Sequence, residues 1–283
     1  MCGLKHRSLR LCKRLLSCVA LFAAGVTFAQ AAASAWVGGQ HGEVRLITAV
    51  DSIQGRVLRA GLEFRYPVGW HGYWHTPGDT DIPPTLNWGS SVHLHSASVM
   101  WPAPSRLAFS GLQNAVYSGD VVLPLLLELD DARGVRLNLS LDYASCSNIC
   151  VPMHAELSLD LPAGSGGASA ETGLIDRAWA LVPGTPNAAS IEVLANLLQG
   201  SGPHRRLIVQ LHSGSIPFRA PDLFIEGAGT GLPSPPLVQL THRGLDVAMT
   251  VALPSRSPVV QSAPLWLTVV DGLRAVEFPG PQN

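Results

Sequence analysis

The residues with the clearest capacity for chemistry are two cysteines, Cys146 and Cys150, in the stretch LDYASCSNICVPMHAELSLDL from Leu141 to Leu161. A Cys-x3-Cys spacing admits a structural disulfide, a redox-active disulfide or a pair of thiolate ligands. Along a straight strand four residues span about 13 Å, whereas a disulfide wants its Cα atoms roughly 4.4–6.8 Å apart. Bonding therefore requires a turn between Ser145 and Val151. The alternation from Val135 to Tyr143 and from His154 to Leu161 reads as two flanking strands. The turn is then their connection, and both sulfurs sit at one end of a sandwich, open to approach.

A structural bridge is the usual role of cystine in exported proteins. Yet a five-residue ring contributes only about 2 kcal/mol by loop-closure entropy, against about 4 kcal/mol for a bridge across about sixty residues. Thiols that stay neighbours after reduction re-form their bond readily, which favours redox work at this spacing. The metal reading adds Met153 and His154 to the two thiolates, a soft set suited to Cu(I). Against it, Met153 and His154 lead into an alternating strand, where such residues more often pack or face water. Zn(II) would ask for four placed ligands, and no second cysteine pair supplies them.

The N-terminus runs from basic KHRSLRLCKR through apolar LLSCVALFAAGVTFA to AQAAASA, the order of a cleavable secretory signal over residues 1–31. Its apolar run falls short of the roughly 20 residues needed to cross a bilayer. Cleavage removes Cys2, Cys12, Cys18 and both lysines, leaving fourteen arginines against twenty acidic residues, a net charge near −6. That balance gives no footprint for nucleic acid or anionic lipid. No later stretch is apolar enough to span a membrane, so no stable membrane insertion is expected.

From Glu43 onward the pattern has period two, broken by turns rich in Gly, Pro, Asn and Asp. VLRAGLEFRYP alternates at Leu58, Ala60, Leu62, Phe64 and Tyr66, and VRLNLSLDY and HAELSLDL do the same. VVLPLLLEL, Val121 to Leu129, is a continuous apolar run that reads as a strand buried on both faces, with Pro124 best placed near an edge or bulge. At PAGSGGASAETG the alternation stops, which marks a flexible linker. ETGLIDRAWALVP then reads as one short helix closed by Pro183. A second set of strands follows, ending in a hairpin signalled by Asp271-Gly272. The expected fold is all-β: two immunoglobulin-like antiparallel sandwiches, over residues 36–163 and 188–283, joined by a linker with one short helix over 164–187.

Tyr66 to Trp88, YPVGWHGYWHTPGDTDIPPTLNW, gathers three tryptophans, two histidines and two acids in a Gly- and Pro-rich segment. Large aromatic residues ordinarily fill cores. His71 and His75 have a metal-ligand spacing for a helix, but Gly69, Gly72 and Pro77 argue against a helix there.

GWHGYWHTPGDTDIPPTLNW, WPAPSRL, VYSGDVVLPLLLEL and DYASCSNICVPMHAELSLDLP, taken in order, resemble the periplasmic N-terminal domain of DsbD-type thiol:disulfide interchange proteins. The resemblance runs from about residue 40 to 162 and is strongest to the ScsB-like branch with its Cys-x3-Cys spacing. It implies an immunoglobulin-like sandwich in a Gram-negative periplasm. The cysteine pair would take electrons from a thioredoxin-like or membrane DsbD/ScsB-type donor and pass them to periplasmic disulfide-bearing proteins, without a cofactor. By the same resemblance Cys150 forms the mixed disulfides and Cys146 resolves them. A cap loop falls at Leu107 to Asp120, with Tyr117 as its lid aromatic. Asp79 is a candidate for modulating thiol ionisation or, equally, for capping a turn, and His154 is the one nearby cationic group. Full-length members continue into a membrane region and a thioredoxin-like domain. This sequence ends at Asn283 with neither, so the expected electron supply is another polypeptide. The second sandwich resembles the domain that precedes the membrane region in ScsB-like proteins. The competing expectations are a Cu(I)-binding copper-stress protein using Cys146, Cys150, Met153 and His154, or a non-catalytic interaction module.

Overall fold

Alternation becomes strand throughout the computed structural model, which describes residues 32–79, 82–109, 111–201, 204–227, 232–253 and 264–281. The signal segment expected over residues 1–31 lies outside the described residues. Among the described residues eleven strands build the first sandwich: β1 (Val37–Gly39), β2 (Gly42–Thr48), β3 (Val57–Arg65), β4 (His71–Gly78), β5 (Thr85–Asn87), β6 (Leu94–Val99), β7 (Ser105–Phe109), β8 (Leu112–Ser118), β9 (Asp120–Leu129), β10 (Gly134–Cys146) and β11 (Cys150–Pro162). One sheet has the order β1-β2-β3-β9-β6; the other runs β11-β10-β4-β8-β7, with β5 paired to β10. The alternating residues face each other across the gap: Leu58, Leu62, Leu123, Leu125, Leu137 and Leu139 are essentially inaccessible. Burial of this kind stabilises by about 25 cal/mol per Å² of apolar surface.

The apolar run of β9 has a simple cause. Its odd-numbered residues enter the core, while Val122 on the other face packs with Ile175 and Ala178 of helix α1 (Thr172–Trp179), which covers the sheet from outside. Strand β9 is internal, between β3 and β6, yet it tolerates Pro124. In a strand the N and O of one residue point the same way. The Pro124 carbonyl accepts from Met100 N, one residue beyond the end of β6, so the missing N–H also points past the partner strand.

The stretch expected to be a flexible linker is pinned instead. Asp51 N donates to Gly167 O, Ser52 Oγ accepts from Gly166 N, and the Thr172 hydroxyl donates to Ala49 O. Small residues here permit close approach to the β2–β3 connection; Cβ atoms at Gly164 or Gly166 would fall within 3 Å of Ser52 or Gln54.

The second sandwich comprises β12 (Ile191–Gln199), β13 (Arg206–Ser213), β14 (Asp222–Glu226), β15 (Leu237–Thr241), β16 (Asp246–Ala252), β17 (Trp266–Asp271) and β18 (Arg274–Pro279). Its sheets are ordered β12-β13-β16-β15 and β14-β17-β18. The closing hairpin pairs Asp271 with Arg274, so its two turn residues are Gly272, at φ +66°, and Leu273. Asp271 sits one position earlier than the sequence signal places it. Its carboxylate instead accepts from the backbone N–H groups of Arg219 and Ala220. The sandwiches share buried surface: Phe224 and Leu232 belong to the same apolar cluster as Trp74, and the Trp74 and Phe224 rings meet edge to face at 5.9 Å. Among the described residues no helix is long and apolar enough to cross a membrane.

Candidate functional site

Strands β10 and β11 form one long hairpin in which every residue from Gly134 to Cys146 has a partner, and the last pair is Cys146 with Cys150. Ser147, Asn148 and Ile149 make the turn, closed by Ser147 N donating to Ile149 O. The facing sulfurs are bonded, with Cα atoms 4.1 Å apart. The turn that the Cys-x3-Cys spacing requires thus lies where the alternation stops.

The two sulfur-bearing residues differ sharply in environment. Cys146 is 1% exposed and sits in a small cluster with Tyr73, Val116 and Ala144 on the outer face of its sheet. Cys150 is exposed and lines a groove of about 670 Å³. The rims of this groove are apolar, with exposed Val68 and Ile149 on one side and exposed Phe109 and Leu112 on the other. Single exposed hydrophobic residues are ordinary; four of them lining the groove that holds the exposed sulfur form a candidate contact surface.

Strand β4 supplies two further groups that sequence reasoning missed as site residues. His71 is the Cα partner of Cys146, which puts the two Cβ atoms on one face at roughly 5 Å. Its imidazole is 7% exposed, and burial holds its pKa below the ordinary value, favouring the neutral ring. Two residues on, the Tyr73 hydroxyl lies 3.5 Å from Cys150 Sγ, and its ring meets that of His71 edge to face. The available signal was the period of two in His71-Gly72-Tyr73. It places His71 and Tyr73 on one face and Trp74 on the core face, but only the pairing with β10 reveals which face carries sulfur.

The expected cap is regular structure: β7 and β8 pair as a hairpin at the sheet edge. Tyr117 is not its lid. Its side chain is 8% exposed within the main core, its hydroxyl donates to Pro102 O at 2.6 Å, and burial beside Tyr66 pushes its phenol well above the ordinary range. Alternation explains the miss, because Ala115 and Tyr117 face inward whereas Asn114 and Val116 share the face of Leu107. The hairpin presents Phe109 and Leu112 to the groove instead. Asp79 bonds across to β8, its carboxylate accepting from Gln113 N at 2.6 Å at the end of β4.

His154 lies on the outer face of β11, four residues from Cys150. Its nitrogens engage Asp142 at 2.7 Å and Glu156 at 2.8 Å, and these bonds, Asp142 first, raise its pKa. Met153 points the other way and packs against the core. The four-residue copper set is therefore not assembled: two members are a disulfide, and the other two lie on opposite faces of a strand. His71 and His75 also diverge. The His75 ring is wedged between Trp74 at 4.1 Å and Trp101 at 5.1 Å, away from the sulfurs.

Fold and site together define an antiparallel two-sandwich chain with a disulfide at a hairpin turn, one sulfur sealed and one open to an apolar groove. Residues 43–162 match the family described as thiol:disulfide interchange protein DsbD, N-terminal, so the cysteine-bearing part of the chain belongs to the DsbD N-terminal domain family and is a thiol:disulfide interchange domain. Residues 181–281 match a domain family of unknown function. The crystal structure of the N-terminal periplasmic domain of ScsB from Proteus mirabilis shares the immunoglobulin-like fold, with a TM-score of 0.68 and 24% identity, covering 90% of this chain and 100% of that one. No curated protein matches the chain.

Proposed function

We propose that this chain is a periplasmic electron carrier in which the Cys146–Cys150 pair shuttles between disulfide and dithiol, reduced by a thioredoxin-like donor and oxidised by client disulfides. The observation that carries this reading is the asymmetry of the pair: Cys146 buried, Cys150 at the groove. Only Cys150 can be met in line by another protein's sulfur.

The exchange balances over two steps. A donor thiolate attacks Cys150 Sγ, a mixed disulfide forms, and Cys146 leaves as a thiolate. The donor's second thiolate then attacks its own sulfur in the mixed disulfide and releases Cys150. Two electrons and two protons have entered the chain, and the donor ends as a disulfide. Toward a client the sequence reverses: Cys150 attacks the client disulfide, and Cys146 attacks Cys150 to release the reduced client. Tyr73 can donate its O–H to the Cys150 thiolate, favouring the ionised form. Cys146 departs beside the neutral imidazole of His71, whose N–H is a donor of the kind a new thiolate needs. The purified protein is expected to titrate as a two-electron couple within the range of thioredoxin-like proteins, and Cys150→Ser is expected to abolish exchange with reduced thioredoxin. A pair that stays oxidised at every potential such donors reach would exclude the carrier role.

A further inference from the structure

The groove wall opposite Ile149 is the β7–β8 hairpin, and that hairpin is loosely attached to its own sheet. Strand β7 is the sheet's edge, paired to β8. The grip of β8 on β4 is broken: His71–Tyr73 pair with Ser118–Val116, the pairing then lapses, and it resumes at Gly78 opposite Asn114. Between these points Trp74, His75 and Thr76 leave β8 and meet the second sandwich, where the Thr76 hydroxyl donates to Glu226 at 3.0 Å. Leu107, Phe109 and Leu112 therefore stand on a flap tied at its two ends.

Besides the bonds between Asp79 and Gln113 at one of those ends, a further tether reaches this flap from the other sandwich. Arg106, adjacent to Leu107, has a side chain only 9% exposed. Its Nε and Nη2 donate as a fork to the Asp222 carboxylate at 2.8 and 3.0 Å. Nη1 donates to Pro233 O at 2.8 Å and Nη2 to Leu223 O at 2.9 Å, while the guanidinium lies 5.0 Å over the Phe224 ring. A planar fork held at four points fixes orientation as well as distance, which a point charge would not do.

We propose that the second sandwich is the splint of the groove wall, and that Arg106 is a positioning residue for thiol–disulfide exchange with protein partners. It acts by holding Phe109 and Leu112 at the spacing a docking partner needs. The proposal rests on the carrier reading above and gives the second sandwich a role in it. A partner must place its sulfur in line with the Cys146–Cys150 bond while its surface rests on both rims, and a misplacement of about 1 Å can lower such a rate by roughly 100-fold. A small thiol touches no rim and is indifferent to the wall.

The test uses the whole protein with Asp222→Asn, which leaves the first sandwich unaltered, and Arg106→Lys, which keeps the charge but loses the fork. Amide hydrogen exchange in residues 105–118 is expected to speed up by about tenfold or more, with β10 and β11 unchanged. The second-order rate constant for reduction by reduced thioredoxin is expected to fall about tenfold or more, and that for reduction by dithiothreitol to stay within about twofold. Unchanged hairpin protection in both variants overturns the splint. Equal losses with thioredoxin and dithiothreitol overturn it too, since they would mean that the clamp supports the disulfide itself. If the unmodified protein fails to react with thioredoxin, the carrier reading falls, and the hydrogen-exchange arm still decides the splint.

Discussion

His71 and His75 stand four residues apart on one strand, and burial lowers the pKa of both. Beyond that they share little. His71 faces the groove beside Cys146 and Tyr73; His75 is wedged, tilted, between two tryptophans, 3.6 Å from Glu226 of the second sandwich. The break in β4–β8 pairing between Tyr73 and Gly78 separates them. It divides one strand into a half that serves chemistry and a half that serves assembly. The same residue type with a titration shift of the same sign therefore calls for different expectations: changes at the first half should move reactivity, and changes at the second should move stability.

The largest expected effect lies in the assembly half. Trp74→Ala removes a buried indole shared by both sandwiches and should destabilise the protein by about 3–5 kcal/mol, read as a shifted urea midpoint. A loss below about 1 kcal/mol would break the comparison, because the joint would not depend on that residue.

His75 gives the next effect, through pH. Its pKa is pushed down to about 4 by burial, so the folded state binds the proton less readily than the unfolded chain. Its contribution is complete above the unfolded value near 6.5 and is lost as pH falls toward 4, up to about 3 kcal/mol. Glu226 and Glu277 work against this trend. Burial raises both pKa values, so their contribution grows as pH falls. Urea midpoints of wild type and His75→Gln between pH 7 and 4 isolate the histidine: wild type should lose more stability on acidification than the variant. Parallel curves would assign the acid sensitivity elsewhere.

Tyr73→Phe should act oppositely, on reactivity with little change in stability. Without its hydroxyl the reduced Cys150 thiol should ionise up to about one pH unit higher, slowing alkylation by iodoacetamide at pH 7 several-fold. An unshifted pH–rate profile would remove Tyr73 from the chemistry. The smallest effect belongs to Asp79→Ala, about 1 kcal/mol of stability from the lost bond to Gln113 N, with the alkylation profile unchanged. A moved profile would restore Asp79 as a modulator of the thiol.

Much of this was legible in the sequence because it is local. A period of two gave β3, β10 and β11, and the reach of a disulfide forced the turn at Ser147–Ile149. What was not legible depends on which strands meet. His71 becomes a site residue because β4 touches β10 at Cys146, above the place where β5 occupies the same edge at Ser140–Asp142. Tyr117 fails as a lid because its parity along β8 turns it inward. The Gly-Ser stretch loses its freedom because the β2–β3 connection happens to lie beneath it. Arg106 looked like one arginine among fourteen until its partner appeared on the other sandwich.

The unequal access of the two sulfurs can be tested directly by trapping. Each of the variants Cys146→Ser and Cys150→Ser, activated as its thionitrobenzoate disulfide, is mixed with a thioredoxin that lacks its resolving cysteine. The carrier mechanism predicts a stable mixed disulfide through Cys150 in Cys146→Ser and little or none through Cys146 in Cys150→Ser. Equal capture by both variants, or capture through Cys146 alone, would contradict it.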